Sequence, residues 1–100
     1  MKTSKPAAIL QENRAMLKDY HVRALYLFGS VVRGEDRPGS DVDILVEFEP
    51  GLKTYDNFIN LAFFLEDILK RRVDLVTPDA LSPYMAPGIL KEVEYVTANV

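Results

Sequence analysis

Cysteine is absent from the 100 residues of this chain, which excludes a disulfide framework, a Cys-type zinc site and thiol catalysis. Long apolar runs are absent too. Nothing approaches the length needed to span a bilayer, and the mildly basic start, Met1-Lys2-Thr3-Ser4-Lys5-Pro6, is not followed by an apolar stretch. Positive charge is not in excess: 12 Lys and Arg face 15 Asp and Glu, for a formal net charge of -3. A general attraction to nucleic acid is thereby excluded, so a local patch or a partner would have to meet any polymer of phosphates. There are no internal repeats and no low-complexity tracts. Two common phosphate-binding patterns are missing as well. No Gly-x4-Gly-Lys-Ser/Thr loop occurs, and Gly29, Gly34 and Gly39 are spaced too widely for a dinucleotide fingerprint. What is present, 48% hydrophobic and 27% charged residues, is the balance of an ordinary globular protein. The expectation is one soluble, cytoplasmic domain over residues 1–100, with no membrane partner and no direct nucleic-acid binding.

The pattern along the chain predicts an α/β (α+β) domain with a small mixed sheet and helices packed on one side. From Pro6 to Tyr20, Ile9, Leu10, Met16, Leu17 and Tyr20 form one helical stripe, which Asn13 interrupts. Val22 to Phe28 is apolar on both faces after Arg23, as a central strand buried on two sides would be. Gly29 to Ser40 reads as loop, with room for one helical turn starting at Ser30. Asp41 to Phe48 alternates. Asp41, Asp43, Leu45 and Glu47 point one way, and Val42, Ile44, Val46 and Phe48 the other. A second helix is predicted from Thr54, its cap, to Arg71. Phe58, Leu61, Ala62, Leu65, Ile68 and Leu69 recur at helical spacing, and Glu66–Lys70 and Asp67–Arg71 form i,i+4 pairs. Val73 to Thr77 is a third strand, stopped by Pro78. In the tail, Ile89 to Glu94 is expected to be helical before the short apolar segment Tyr95-Val96.

The residues that carry chemistry lie around the second strand. Asp41 and Asp43 sit two apart, so both carboxylates leave the same face, with Cβ atoms about 7 Å apart. That spacing lets them converge on one hard cation or on two. Asp74 joins them if its strand neighbours theirs in the right register, and three crowded carboxylates then need a cation or a proton to compensate. Alone, Asp-x-Asp is a weak signal, because solvated or turn-capping carboxylates at a strand start look the same. The preceding Gly29-Ser30 strengthens it. That pair ends a buried strand and opens a helical turn, offering backbone N–H groups and the Ser30 hydroxyl to a phosphate. A phosphate cradle beside a metal-binding carboxylate pair is what nucleotidyl transfer requires. A phosphatase of the aspartyl-phosphate kind also uses Asp-x-Asp. Its motif follows a strand, however, whereas here the pair begins one.

Gly29-Ser30, ten intervening residues and then Asp41-x-Asp43 resembles the signature of the DNA polymerase β-like nucleotidyltransferase superfamily. The fuller string GSVVRGEDRPGSDVDILVEF, with Arg33-Gly34, Ser40 and Ile44-Leu45-Val46, is similar to its small stand-alone branch, the minimal nucleotidyltransferase (MNT) domains. Arg72-Val73-Asp74-Leu75-Val76 resembles the strand bearing that branch's third carboxylate, and the tail segments Leu81–Tyr84 and Glu92–Val96 also match it. Pro87-Gly88 departs from it, falling where an uninterrupted helix is expected. The resemblance implies the polymerase β-like fold. It also implies a site in which Asp41, Asp43 and Asp74 bind two Mg2+ ions and catalyse transfer, with Gly29, Ser30, Arg33 and Ser40 on the nucleotide. Arg33 itself is either a phosphate ligand or a solvated loop charge. In that family MNT proteins pair with HEPN ribonuclease toxins as antitoxins, transferring AMP from ATP to a tyrosine hydroxyl of the toxin. A partner of this kind is therefore implied for the present chain. It fits a sequence with no room for an acceptor domain of its own.

Four further features have plainer readings. Phe63 lies on the polar side of the second helix, with Asp56, Asn60 and Asp67, as either an isolated surface aromatic or an interface anchor. His21, the sole histidine, sits at a helix-to-strand junction and is expected to be structural. Lys70-Arg71-Arg72, at a helix C-terminus, is expected to complement the helix dipole rather than bind RNA. Glu47 shares the face of the two Asp residues but lies beyond their reach.

Overall fold

Asn13 does more than interrupt a stripe. Its side-chain amide donates to the Ile9 carbonyl at 2.8 Å, and its backbone N–H is shared between the Ile9 and Leu10 carbonyls at 3.2 Å. This local competition with the helical ladder divides the expected single helix into α1, Lys5–Glu12, and α2, Arg14–Asp19. The computed structural model describes residues 5–34, 37, 39–81, 84, 87–88 and 94–98. His21 then turns the chain into the sheet with φ 66°, its N–H donating to Lys18 and its carbonyl accepting from Glu49. Both contacts are made by its backbone, and they fix the turn from α2 into the sheet.

The sheet has four strands in the order β3-β2-β1-β4. β1, Val22–Phe28, pairs antiparallel with β2, Val42–Phe48, on one side and with β4, Glu94–Ala98, on the other. β3, Val73–Val76, runs parallel to β2, so the sheet is mixed. The parallel pair needs a crossover, and α4, Tyr55–Leu69, supplies it. Thr54 caps α4 by accepting from the Asn57 N–H at 3.1 Å. α4 ends at Leu69 rather than Arg71, because Lys70 takes the left-handed conformation. The two expected i,i+4 pairs are redirected accordingly. Glu66 accepts from the Val73 N–H, Lys70 lies 3.8 Å from Asp67, and Arg71 reaches back to an earlier loop.

Register assigns the faces. Leu25 lies opposite Val46, Leu27 opposite Ile44, and Ile44 opposite Leu75. With Val42 and Phe48 they meet Leu10, Leu17, Leu61, Phe64, Leu65 and Leu69 from the helices in one core cluster. A leucine buried this completely contributes roughly 1.5–3 kcal/mol by leaving water. Phe64, outside the stripe read from sequence, is buried and stacks on Tyr20 with ring centroids 4.6 Å apart. The opposite face carries Phe28, Asp43, Leu45, Glu47, Asp74 and Val76. Among the described residues no helix is long and apolar enough to cross a membrane. Glu94 opens a strand instead of closing a helix. Residues 89–93, where the rest of that helix was expected, lie outside the described residues, as do Ser82 and Pro83.

Candidate active site

The parallel register sets Asp43 directly beside Asp74, and the antiparallel one sets Asp43 opposite Phe28, the residue before Gly29. The strand bearing Asp74 thus does neighbour that of Asp43, while Asp41, expected to open the same strand, stands just before its first residue, Val42. Asp43 is half-buried, whereas Asp41 and Asp74 are exposed. Gly29 has φ 73°, and a Cβ placed there would fall 2.0 Å from Asp43 Oδ2 and 2.9 Å from its Cγ. The close approach for which this glycine is needed is therefore made by the Asp43 carboxylate. A larger residue would have to displace it and accept a left-handed backbone as well.

Ser30 opens α3, a single helical turn over Ser30–Arg33 in which the Arg33 N–H donates to the Gly29 carbonyl at 3.1 Å. The first amides of such a turn have no intrahelical acceptor. Arg33, at its last position and exposed, is close enough for its charge to act on Asp43. Ser40, half-buried just before Asp41, donates its N–H to Arg37 at 2.9 Å and accepts at its carbonyl from Arg71.

Electrostatics mark Asp43 as the strained member of the group. Burial raises its pKa first. The charges of Asp74 and Asp41 and a hydrogen bond shared with Asp74 raise it further, against an opposing pull from Arg33. The donor set, hard carboxylate oxygens in mutual repulsion, suits a divalent cation of the Mg2+ kind. Among the described residues, though, no three acidic groups already stand in a metal-binding cluster, so a cation would have to draw these side chains together.

A model of the nucleotidyltransferase domain matches residues 8–96. The chain belongs to the nucleotidyltransferase domain family. Protein adenylyltransferase MntA of Thermococcus cleftensis is 43% identical over 90 residues, covering 89% of this nucleotidyltransferase and 90% of the relative. A solved structure named a minimal nucleotidyltransferase superposes with a TM-score of 0.72 at 34% identity, covering 90% of this chain and 87% of that one. A toxin–antitoxin crystal structure with AMP-PNP gives a TM-score of 0.71 at 25% identity, covering 89% of this chain and 73% of that one. The carboxylate-bearing sheet end is thus the candidate active site of a nucleotidyltransferase of the small polymerase β-like type.

Two features of this nucleotidyltransferase were not found by sequence reasoning. Arg71, expected to complement the helix dipole, instead places its guanidinium on loop carbonyls 31 residues earlier, at Ser40, and no local pattern announces such a contact. The cleft beside Phe63 was also out of reach. Phe63 is 64% exposed, as its position on the helix wheel indicates, but it lines a cleft of about 550 Å³ with Asp19, Tyr20, His21, Asn60 and Asp67. Glu47 lines a separate cavity of about 270 Å³ with Arg23, Lys53 and Thr77, four residues along the strand from Asp43.

Replacing Gly29 by alanine is expected to destabilise the protein by roughly 1–3 kcal/mol in urea unfolding, the usual strain of a non-glycine residue in such a conformation. Nucleotidyl transfer should fall steeply with it; an alanine variant of full stability and rate would show that Asp43 does not need this contact. The second expectation concerns pH. Because the Asp43 pKa is raised, the folded protein holds that proton more tightly than the unfolded chain. Stability must then fall as pH climbs from the ordinary value of 3.8 through the raised folded one. In the presence of a chelator, Asp43→Asn should melt higher than the parent at pH 7, with the gap closing as pH approaches 3.8. A gap independent of pH would mean that the charge on Asp43 is not what strains the fold.

Proposed function

We propose that this nucleotidyltransferase is a Mg2+-dependent protein adenylyltransferase that moves AMP from ATP to a tyrosine hydroxyl of a HEPN-type ribonuclease toxin and thereby acts as its antitoxin. The observation that carries the reading is the register placing Asp43 beside Asp74, with Asp41 two residues away and Gly29 against the Asp43 carboxylate. Nothing in the packing of a small sheet calls for three like charges at one end. Support for the nucleotide and the partner comes from the adenylyltransferase relative and from the similar toxin–antitoxin structure holding AMP-PNP.

In this reading the amides opening α3 and the Ser30 hydroxyl receive the phosphates beyond the α-position, and Arg33 steadies them. Ser40 orders the approach to Asp41 on the nucleotide side. Asp41, Asp43 and Asp74 would hold two Mg2+ ions, which when bound neutralise the phosphates and polarise the reacting oxygens. Asp74, exposed at the sheet edge, orients the acceptor hydroxyl and takes its proton. The acceptor oxygen forms a bond to the α-phosphorus, the bond from that phosphorus to the bridging oxygen breaks, and pyrophosphate departs. Phe63 and its cleft serve as the docking contact for the partner, away from the chemistry.

Incubation with α-labelled ATP, Mg2+ and a HEPN-type partner protein should place label on that partner. Asp41→Ala and Asp43→Ala should each lower the rate at least 100-fold. Neutralisation that persists in both variants with no label transferred would point instead to a subunit that blocks its partner by contact. Label on RNA or a small molecule would move the acceptor to another class. Substituting Phe63 by Asp should weaken co-purification with the partner while leaving ATP binding intact, and unchanged co-purification would remove Phe63 from the interface.

A further inference from the structure

The three carboxylates are not held by equivalent means. Asp43 and Asp74 lie within paired strands, where ladder hydrogen bonds fix the backbone. Asp41 precedes β2, is exposed, and follows a loop, so no strand pairing fixes it. Its two flanking residues are tethered instead to consecutive residues just beyond α4. On one side, Arg71 Nε donates to the Ser40 carbonyl at 3.1 Å, and Nη2 donates to the same carbonyl at 2.6 Å and to that of Arg37 at 3.1 Å. On the other, the Val42 N–H donates to the Arg72 carbonyl at 2.9 Å. The base of this bracket is itself fastened, because Lys70 N–H donates to the Glu66 carbonyl and the Glu66 carboxylate accepts from the Val73 N–H.

We infer that Arg71 is a positioning residue for Asp41: by holding the Ser40 carbonyl it sets the direction in which the Asp41 carboxylate leaves the chain, toward Asp43 and Asp74. The inference rests on Asp41 being a cation-binding carboxylate, as proposed above. A planar guanidinium suits the task because its fixed fork spans two carbonyls at once and keeps its charge at any working pH. A lysine ammonium offers a point charge and no fixed fork. The side chain is half-buried and so is its contact with the Ser40 carbonyl, which is partly withdrawn from water and takes both Nε and Nη2 as donors.

Mn2+ serves as the probe, its binding to the full chain followed by loss of the free-ion EPR signal and so independent of turnover. Arg71→Met should weaken Mn2+ binding roughly 10–100-fold, the usual effect of removing a residue that orients a ligand. Arg71→Lys should fall between Met and the parent, and it serves alone if the Met variant does not fold. In an Asp41→Asn background the same Arg71 substitution should cause no further loss, since the residue acts through Asp41. Amide hydrogen exchange should rise at residues 39–42 while β1 and residues 58–65 stay protected. Parent-like Mn2+ binding in both Arg71 variants, or losses that add to those of Asp41→Asn, would overturn the positioning role while leaving the site intact. A parent chain that binds no Mn2+ would overturn both the role and the cation site beneath it.

Discussion

Carboxylates on adjacent parallel strands repel one another, and this fold sets Asp43 and Asp74 side by side with a third charge, Asp41, close by. Relief is partial. Arg33 pulls the other way, and the half-buried Asp43 lies against Gly29, whose missing side chain leaves the room it occupies. The surrounding elements keep this repulsive arrangement from relaxing apart. The helices and one sheet face share a dry core, so β1, β2 and β3 cannot slide without exposing Leu27, Ile44 and Leu75 together. Apolar burial on one face thereby sustains electrostatic strain on the other, and the strain is what a cation can relieve.

The proposed adenylyl transfer to a protein suits this division. The helix layer and the carboxylates occupy opposite faces, and two of the three carboxylates are exposed. A macromolecular hydroxyl can therefore approach them without a deep pocket. Recognition is then best placed elsewhere, and the cleft of Phe63, Phe64 and Tyr20 offers aromatic rings among the polar side chains of Asp19, Asn57, Asn60 and Asp67. A partner docked through such a surface gains specificity from contacts that the reacting atoms do not have to supply.

Much of this was legible because it is written locally. Val22–Phe28 is apolar on both faces and forms the central strand. Thr54 caps its helix, and Asp41-x-Asp43 after Gly29-Ser30 announces a site whose spacing resembles a known signature. What was not legible depends on residues distant in sequence. The pairing of Asp43 with Asp74 requires the register of two strands joined through α4, and the sequence yields it only as a condition. Arg71 reads as one of three basic residues at a helix end until its guanidinium is seen on Ser40. The split at Asn13 turns on a side-chain hydrogen bond competing with the backbone. β4 escaped because its stability comes from the edge of β1 and not from a strong pattern of its own.

The crossover has one more effect. Because β2 and β3 are parallel, α4 must return the chain to the end where both begin, and its C-terminus comes to rest beside the carboxylates. A helix C-terminus carries about half a negative charge, whereas the opening turn of α3 presents the positive end of its peptides at Ser30. At α4 that negative end is met at once by Lys70, Arg71 and Arg72, so the carboxylates themselves, and not the helix, set the negative charge of the site.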